Sequence, residues 1–350
     1  MLLFFEFLLK VGLIPLHVNF STNQLQFKMF SKSTLLFNFY CLILLGLAMF
    51  FWWYVVTPTK GLEFWNGMYN QSETTDLLTF VVFFIQYAIP AFNLNIYKDF
   101  TKISNDILFH KNLKWPKSGK FYIIMTSFGY IGIINWFIFM FKARVQEYYS
   151  TIGLICAVSF QFVFTFINVF ILMVFILSWI ETLTMICKER NPARNIHQHS
   201  VKCRNYYKSM QDGLGRTFLL IFTTLQILIV IGLYKSITTA FYHPYDTASN
   251  IVLTVSYAVV SILNSTSLFV LTLAAEEAHT SLKSLVTPLN MALIGETEEK
   301  IQDIKCLIKE IENKPPLNGN GYFEIKKGTI TSIVSTTVTY LIILLQFRSS

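Results

Sequence analysis

The chain has 350 residues, of which 53% are hydrophobic and 14% are charged, and its net charge is +8. Soluble domains carry roughly 25% charged residues, and a chain with a mean hydropathy of +0.50 has too few polar side chains to cover its apolar ones in water. This composition excludes a disordered chain, a secreted disulfide scaffold and most soluble enzymes.

Seven stretches are long and apolar enough to cross a bilayer, whose core of about 30 Å needs roughly 20 residues of helix. Barrel strands would alternate with period 2, and these stretches do not, so each is predicted to be helical. We predict an all-α bundle of seven transmembrane helices, with six or eight crossings as alternatives. The fourth stretch is too long for one crossing and is predicted to continue into the cytosol. The stretches are residues 35–56, 77–97, 121–141, 151–186, 217–234, 251–275 and 328–347.

Basic residues indicate the orientation of the chain. Of the 28 Lys and Arg residues, 23 lie in segments on the same side as the N-terminus and 5 lie on the other side. Cytoplasmic loops hold the basic excess, so we predict a cytosolic N-terminus and an extracellular C-terminus. The alternative is that long segments simply collect charge. The scattered basic residues accompany no groove-reading motif, so no nucleic acid partner is expected.

The N-terminal sequence MLLFFEFLLKVGLIPL carries Glu6 and Lys10 and lacks a basic leader, so an interfacial helix ending at Pro15 is predicted rather than a signal peptide. No predicted external loop holds a pair of cysteines, so no disulfide framework is expected. Asn70 begins an Asn-Gln-Ser sequon in the first external loop and is the glycosylation candidate. The sequon at Asn264 falls within a span and is attributed to chance.

The long loop after the sixth span has a regular pattern. Four isoleucines recur at three- and four-residue spacing, which is typical of an amphipathic helix, and Pro315, Pro316 and an Asn-Gly-Asn-Gly stretch then end it. We predict a cytosolic helix that is continuous with the sixth span and packs on the fourth helix or on a neighbouring subunit. Glu276 and Glu277 are expected to form salt bridges with the basic segments. The isoleucines are Ile301, Ile304, Ile308 and Ile311.

Polar side chains line one face of the last span, which has no charged residue at positions 328–347. In lipid, such groups either bond to neighbouring helices or face water, and the pattern alone leaves both interpretations open. A hydroxyl-bearing face that ends in an amide and an aromatic ring also suits a pore closed by dewetting. The face, called the polar stripe below, consists of Ser332, Thr336, Thr339, Ile343 and Gln346.

The end of this span resembles a family signature. Thr339-Tyr340, five apolar residues and Gln346-Phe347 resemble the TY-(five apolar)-QF motif that closes the last helix of insect gustatory receptors. The stretch Gly321-Tyr322-Phe323 resembles the small-x-aromatic sequence before that helix, and residues 12–15 (GLIP) resemble a segment near the family's N-terminus. Length, span number and topology are also similar.

The resemblance implies a ligand-gated, non-selective cation channel in the plasma membrane of chemosensory neurons. It implies a tetramer around one pore, built from identical or other gustatory receptor subunits, with permeant cations and lipid as further partners and no cofactor. The last helix would line the pore and Gln346 and Phe347 would form its extracellular gate. The cytosolic ends of helices four to seven would form an anchor domain.

These expectations divide the chain into four segments. Residues 1–34 are the cytosolic N-terminal segment with its interfacial helix, and residues 35–275 hold spans one to six, with the fourth extended into the cytosol. Residues 276–327 are the anchor helix and the lead into the pore, and residues 328–350 are the pore-lining helix.

The resemblance also places a small-molecule tastant, a sugar or a bitter plant compound, among the outer halves of helices two to six. Polar groups in lipid are costly unless they are satisfied, so a convergent polar and aromatic cluster suits a ligand pocket. The alternative for each residue is a bridge between two helices. The candidates are Asn135, Trp136, Gln161, Thr165, Gln226 and Tyr257.

Three other classes fit less well. A G-protein-coupled receptor has the opposite topology and usually an external disulfide. A secondary transporter would show paired broken helices or repeats. An enzyme is not expected either, because His197, His199 and Cys203 lack metal-ligand spacing and are predicted to lie in a solvated basic loop, so no metal site is expected.

Overall fold

The computed structural model describes residues 17–19, 24–26, 31–32, 34–39, 46, 176, 192–242, 247–294 and 297–349. This part of the chain is helical except for one pair of three-residue strands and the connecting turns, in agreement with the predicted all-α class. Strands β1 (His17–Asn19) and β2 (Gln24–Gln26) are antiparallel. The helices are α1 (Pro192–Tyr242), α2 (Thr247–Lys283), α3 (Val286–Ala292), α4 (Glu298–Glu312) and α5 (Lys327–Ser349).

Three of the described helices are long and apolar enough to cross a membrane, over Cys203–Thr238 in α1, Tyr257–Ala292 from α2 into α3, and Lys327–Gln346 in α5. Helices α1, α2 and α5 contain the predicted spans five, six and seven; spans one to four lie largely or wholly outside the described residues. Helices α1 and α2, with 51 and 37 residues, rise about 77 and 56 Å at 1.5 Å per residue, so both extend well beyond a core of about 30 Å. The charges of Arg204, Lys208, Glu276 and Glu277 assign the excess length to the predicted cytosolic side.

Helices α1 and α2 form an antiparallel pair. The Tyr207 hydroxyl contacts His279, the Ser236 hydroxyl donates to the carbonyl oxygen of Thr254 at 3.0 Å, and intermediate positions pair in the same reversed order. Buried apolar residues line the seam from Met210 to Tyr234 on α1. The pair therefore forms the core of the described structure.

The two helices approach each other closely at Gly232. The Ser261 hydroxyl beside it donates to the carbonyl oxygen of Tyr257 at 3.0 Å, within its own helix. A Cβ on Gly232 would overlap the Ser261 Oγ and would lie 3.1 Å from the carbonyl oxygen of Tyr257. Helices in lipid gain no hydrophobic free energy from each other and depend on close packing at small residues, so this glycine sets the helix separation.

The first half of α1 corrects one sequence prediction. The solvated loop expected at His197, His199 and Cys203 is wrong, because all three residues lie on a helix that begins at Pro192, and Cys203 is buried. Proline suits the first position of a helix, where its missing N–H costs nothing. Buried Cys203, Tyr207 and Met210 recur at helical spacing, so tertiary packing holds this polar stretch as helix. The cytosolic extension predicted for the fourth span lies largely outside the described residues.

The segment after the sixth span corrects another. The predicted continuity of the anchor helix with the sixth span is wrong, since α2 ends at Lys283 and α3 and α4 follow as separate helices. Pro288 explains the break, because inside a continuous helix it would remove one hydrogen bond and clash with the preceding turn, whereas it fits the first turn of α3.

The amphipathic character of α4 is confirmed. Ile304, Leu307, Ile308 and Ile311 are buried and Ile301 is half-buried. The helix packs on α1, α2 and α3 of the same chain, and an ion pair between Arg204 and Glu310 ties it to α1. Of the two predicted partners, the fourth helix lies largely outside the described residues, and a neighbouring subunit stays a prediction.

Candidate pore and its cytosolic lead-in

Helix α5 coincides with the predicted seventh span, and the rest of its own chain leaves almost all of it uncovered. In its most apolar stretch only 6% of the residues are buried, compared with 61% and 50% in the corresponding stretches of the other two membrane-spanning candidates. It contacts α1 and α2 through a narrow face centred on Thr337, which is 6% exposed. Most of the helix surface is therefore available to lipid, water or another subunit.

The polar stripe faces away from the rest of the protomer. Ser332, Thr339, Ile343 and Gln346 are exposed, and Thr336 is half-buried. The Thr336 hydroxyl donates to the carbonyl oxygen of Ser332 at 2.8 Å. The Thr339 hydroxyl donates to the carbonyl oxygen of Ser335 at 2.9 Å. These hydroxyls are therefore satisfied within α5, and among the described residues they donate to no other helix. Phe347 belongs to α5, but its side chain lies outside the described residues.

A second, apolar face of α5 is also uncovered. Val334, Val338 and Ile342 are 56%, 49% and 49% exposed. At about 100° per residue, this face, the polar stripe and the Thr337 face are separated from one another by roughly 100–140° around the helix. The helix therefore presents one side to its own bundle, one apolar side and one polar side. Tyr340, from the family signature, is also exposed.

A tight hairpin at residues 317–325 leads into α5. The Ile325 N–H donates to the carbonyl oxygen of Leu317 at 2.7 Å and the Gly319 N–H to that of Phe323 at 2.9 Å. Asn320 and Gly321 adopt φ values of 53° and 84°, a left-handed conformation that only glycine and, to a lesser degree, asparagine adopt readily. The Asn-Gly-Asn-Gly stretch, predicted only to end a helix, is therefore required by the turn.

The hairpin is docked on α1. The ring centroid of Phe323 lies 5.4 Å from that of Phe222, and a Cβ on Gly215 would lie 3.1 Å from the backbone nitrogen of Asn320. Just before the hairpin, the Tyr207 hydroxyl donates to the carbonyl oxygen of Pro315 at 3.2 Å. The backbone that enters α5 is thus held against the cytosolic half of α1. Sequence reasoning missed Gly215 and Phe222, whose role depends on this contact.

Two paired lysines lie at the start of α5, Lys326 just before the helix and Lys327 as its first residue. Glu276 accepts a hydrogen bond from the Lys327 backbone N–H at 3.1 Å and pairs with its Nζ at 3.5 Å. Glu324 pairs with Lys326 Nζ at 2.6 Å. The predicted salt bridge of Glu276 with a basic segment is confirmed, and its partner is the first residue of α5.

The structure describes two of the six ligand candidates. Gln226 on α1 and Tyr257 on α2 are both half-buried. Tyr257 on α2 lies at the same height as Gly232 on α1. Gly232 is six residues from Gln226, or about 9 Å along α1, so the backbones of Gln226 and Tyr257 lie at different heights in the bundle. Asn135, Trp136, Gln161 and Thr165 lie outside the described residues, as does the glycosylation candidate Asn70.

Asn264 is a buried amide that sequence reasoning treated only as a chance sequon. It is 3% exposed, and its Nδ2 has no hydrogen-bond partner among the described residues. Its burial excludes glycosylation in the folded protein. Within the same residues, no group of three or more His, Cys, Asp or Glu side chains is placed to hold a metal ion.

Long apolar helices and an uncovered polar-faced terminal helix define a multi-pass helical membrane protein. The chain belongs to the 7tm chemosensory receptor family, whose sequence model matches residues 3–350. The resemblance inferred from the last helix is confirmed at this level, and the family is one of receptors rather than enzymes. A search of curated proteins finds no significant match.

Solved structures agree on the fold. The chain is similar to the olfactory receptor OR5 of the insect Machilis hrabei in complex with eugenol, with 14% identity, 99% coverage of both chains and a TM-score of 0.64. A second structure of the same receptor matches with 14% identity, 99% coverage of both chains and a TM-score of 0.62. This likeness establishes the all-α, seven-transmembrane fold.

Proposed function

We propose that the protein is a gustatory receptor that acts as a ligand-gated, non-selective cation channel. It opens when a small-molecule tastant, a sugar or a bitter plant compound, binds among the outer halves of spans two to six. The observation that carries the proposal is the polar stripe of α5, which faces away from its own bundle. The TY-(five apolar)-QF signature at the end of the same helix supports the gustatory assignment.

The uncovered faces of α5 support an assembly around a central axis. A helix with one polar and one apolar uncovered face is better accommodated where the polar face meets water and the apolar face meets lipid or a neighbouring subunit. Four copies around an axis satisfy this requirement, with the polar stripes lining one aqueous path. The subunits are identical or include other gustatory receptors, and the neurons that carry them are chemosensory.

Gln346 and Phe347 form the extracellular gate in this proposal. They follow the polar stripe at the C-terminal end of α5, which the basic residues assign to the outside. A narrow ring of aromatic side chains closes a pore by excluding water. Movement of the outer helices on ligand binding withdraws this ring and opens the path.

A small organic ligand fits the uncharged character of the spans. The similar OR5 structure is a complex with eugenol, a small phenol, and this likeness supports a ligand of comparable size. Gln226 and Tyr257 are the described candidates for hydrogen bonding to such a molecule, and half-burial leaves each side chain partly accessible.

Oocytes that express the chain test the channel and its gate together. We expect a cation current in response to at least one member of a panel of sucrose, glucose, caffeine, quinine and eugenol. Phe347→Ala is expected to produce current without ligand, because loss of the ring removes the apolar constriction. Basal and evoked currents identical to those of the wild type would contradict the assignment of Phe347 as the gate.

An epitope placed after Ser350 tests the orientation. We expect an antibody to stain intact cells, because 23 of 28 basic residues lie on the side of the N-terminus and an odd number of crossings puts the C-terminus outside. An epitope before Met1 is the matched control and is expected to stain only permeabilised cells. The reverse pattern would favour the topology of a G-protein-coupled receptor.

A further inference from the structure

Two lysines and two carboxylates meet where α5 begins. The side chains of Lys326 and Lys327 are 56% and 71% exposed, so both reach solvent. Each is paired with a carboxylate, Lys326 with Glu324 and Lys327 with Glu276. The start of a helix also carries a partial positive charge from its unpaired N–H groups. The carboxylates therefore offset a positive potential at this end of α5.

This arrangement matters for permeation if α5 lines a pore, and the following inference rests on the proposed function. Four copies of α5 would place eight lysines and four helix N-termini around the cytosolic mouth. Such a charge would lower the local concentration of cations and slow their entry from the cytosol. We propose that Glu276 and Glu324 are ion-conduction determinants: by neutralising Lys327 and Lys326, they keep the cytosolic mouth open to cations in both directions.

Glu276 is the better position to test, since its two contacts can be separated. One of its oxygens accepts the Lys327 N–H, and the other pairs with Nζ. Glu276→Gln retains an oxygen acceptor for the N–H and removes only the charge. The Lys327 and Glu276 side chains are 71% and 29% exposed. Ion pairs that solvent reaches in this way contribute little to stability, so the substitution is expected to leave the fold in place and to alter the potential at the mouth.

The size of the effect follows from screened electrostatics. Four added charges, each taken at about 10 Å from the ion path in water with a Debye length of about 8 Å, reduce the local cation concentration roughly twofold. The reduction acts at the cytosolic mouth, so outward cation current falls more than inward current. We expect the ratio of outward to inward conductance to fall about twofold and to recover in high salt.

The experiment compares current–voltage relations of the full chain in excised patches with symmetric salt, using the most effective compound of the same panel. Glu276→Gln is expected to lower the ratio, and Glu276→Gln combined with Lys327→Gln is expected to restore it, because the double variant has the net charge of the wild type. Glu298→Gln, an exposed position on α4, is the matched control for a charge removed elsewhere and is expected to leave the ratio unchanged. Glu324→Gln is the second test and is also expected to lower the ratio. It replaces Glu276→Gln as the test if that variant does not reach the cell surface.

The outcomes separate the inference from the proposed function. If the wild type conducts and the ratio of outward to inward conductance is unchanged in both Glu276→Gln and Glu324→Gln, the inference is overturned and the proposed channel function stands. A lowered ratio that the double variant fails to restore would also overturn it, since charge balance would not be the cause. Absence of current from wild-type protein at the cell surface would remove both the proposed function and the inference.

Discussion

An extracellular cationic thiol reagent is expected to block the ligand-evoked current of Thr339→Cys. Thr339 lies on the polar stripe and is exposed in the protomer, and its hydroxyl donates to the carbonyl oxygen of Ser335 within α5. Replacement therefore breaks no hydrogen bond to another helix of the described structure. Four fixed positive charges within about 5 Å of the ion path should reduce cation current about tenfold or more. The measurement is the evoked current before and after the reagent, applied in the presence of ligand.

Val338→Cys is the matched control for this prediction. Val338 is 49% exposed in the protomer but lies on the apolar face, which in the proposed assembly meets lipid or a neighbouring subunit. We expect little change in its current, and the wild type controls for the five native cysteines. Equal block of the current at both positions would contradict an aqueous path along the polar stripe. Failure of the reagent to block the current at either position would contradict it as well.

Gly232→Ala is expected to reduce the amount of folded receptor at the cell surface. The added Cβ would overlap the Ser261 Oγ and would press against the carbonyl oxygen of Tyr257 at 3.1 Å. Overpacking of this kind costs about 1–3 kcal/mol, and the seam between α1 and α2 cannot relax without separating the helices. Surface labelling and the thermal stability of detergent-solubilised protein measure the effect.

A second substitution tests whether the contact is the cause. Ser261→Ala in the Gly232→Ala background removes the oxygen that is struck and leaves the Ser261 Cβ at an ordinary distance of 3.5 Å, so partial recovery is expected. Gly46→Ala is the matched control, because a Cβ at that exposed helical position meets nothing within 4 Å. A loss at Gly46 equal to that at Gly232, or no recovery with Ser261→Ala, would reject this account of the seam.

Particular elements show how far sequence reasoning reaches. The fifth, sixth and seventh spans were predicted correctly because hydropathy over about 20 residues reports membrane crossing directly. The cytosolic half of α1 was misassigned as loop, since its polar residues mask a narrow buried face that includes Cys203 and Tyr207. The break at Pro288 was also missed, although a proline inside an amphipathic pattern is a helix-ending signal.

Some features of the candidate site could also be predicted from the sequence, and others could not. The polar stripe was visible as a sequence period, and the family signature identified its end. The docking of the hairpin on Gly215 and Phe222 was not visible, because more than 90 residues separate the two sides of that contact. The sequence indicated that Glu276 would pair with a basic residue, and only the structure identified Lys327 as the partner.

The sequence by itself determined that this is a membrane protein, that its spans are helices and that its last helix has a polar side. These properties follow from local composition and helical period. Only the tertiary structure decided which side of α5 its own chain leaves uncovered and which carboxylates pair with the two lysines at its start. Those features depend on where α1 and α2 pack against α5, and such packing is set by the shapes of surfaces brought together from distant parts of the chain.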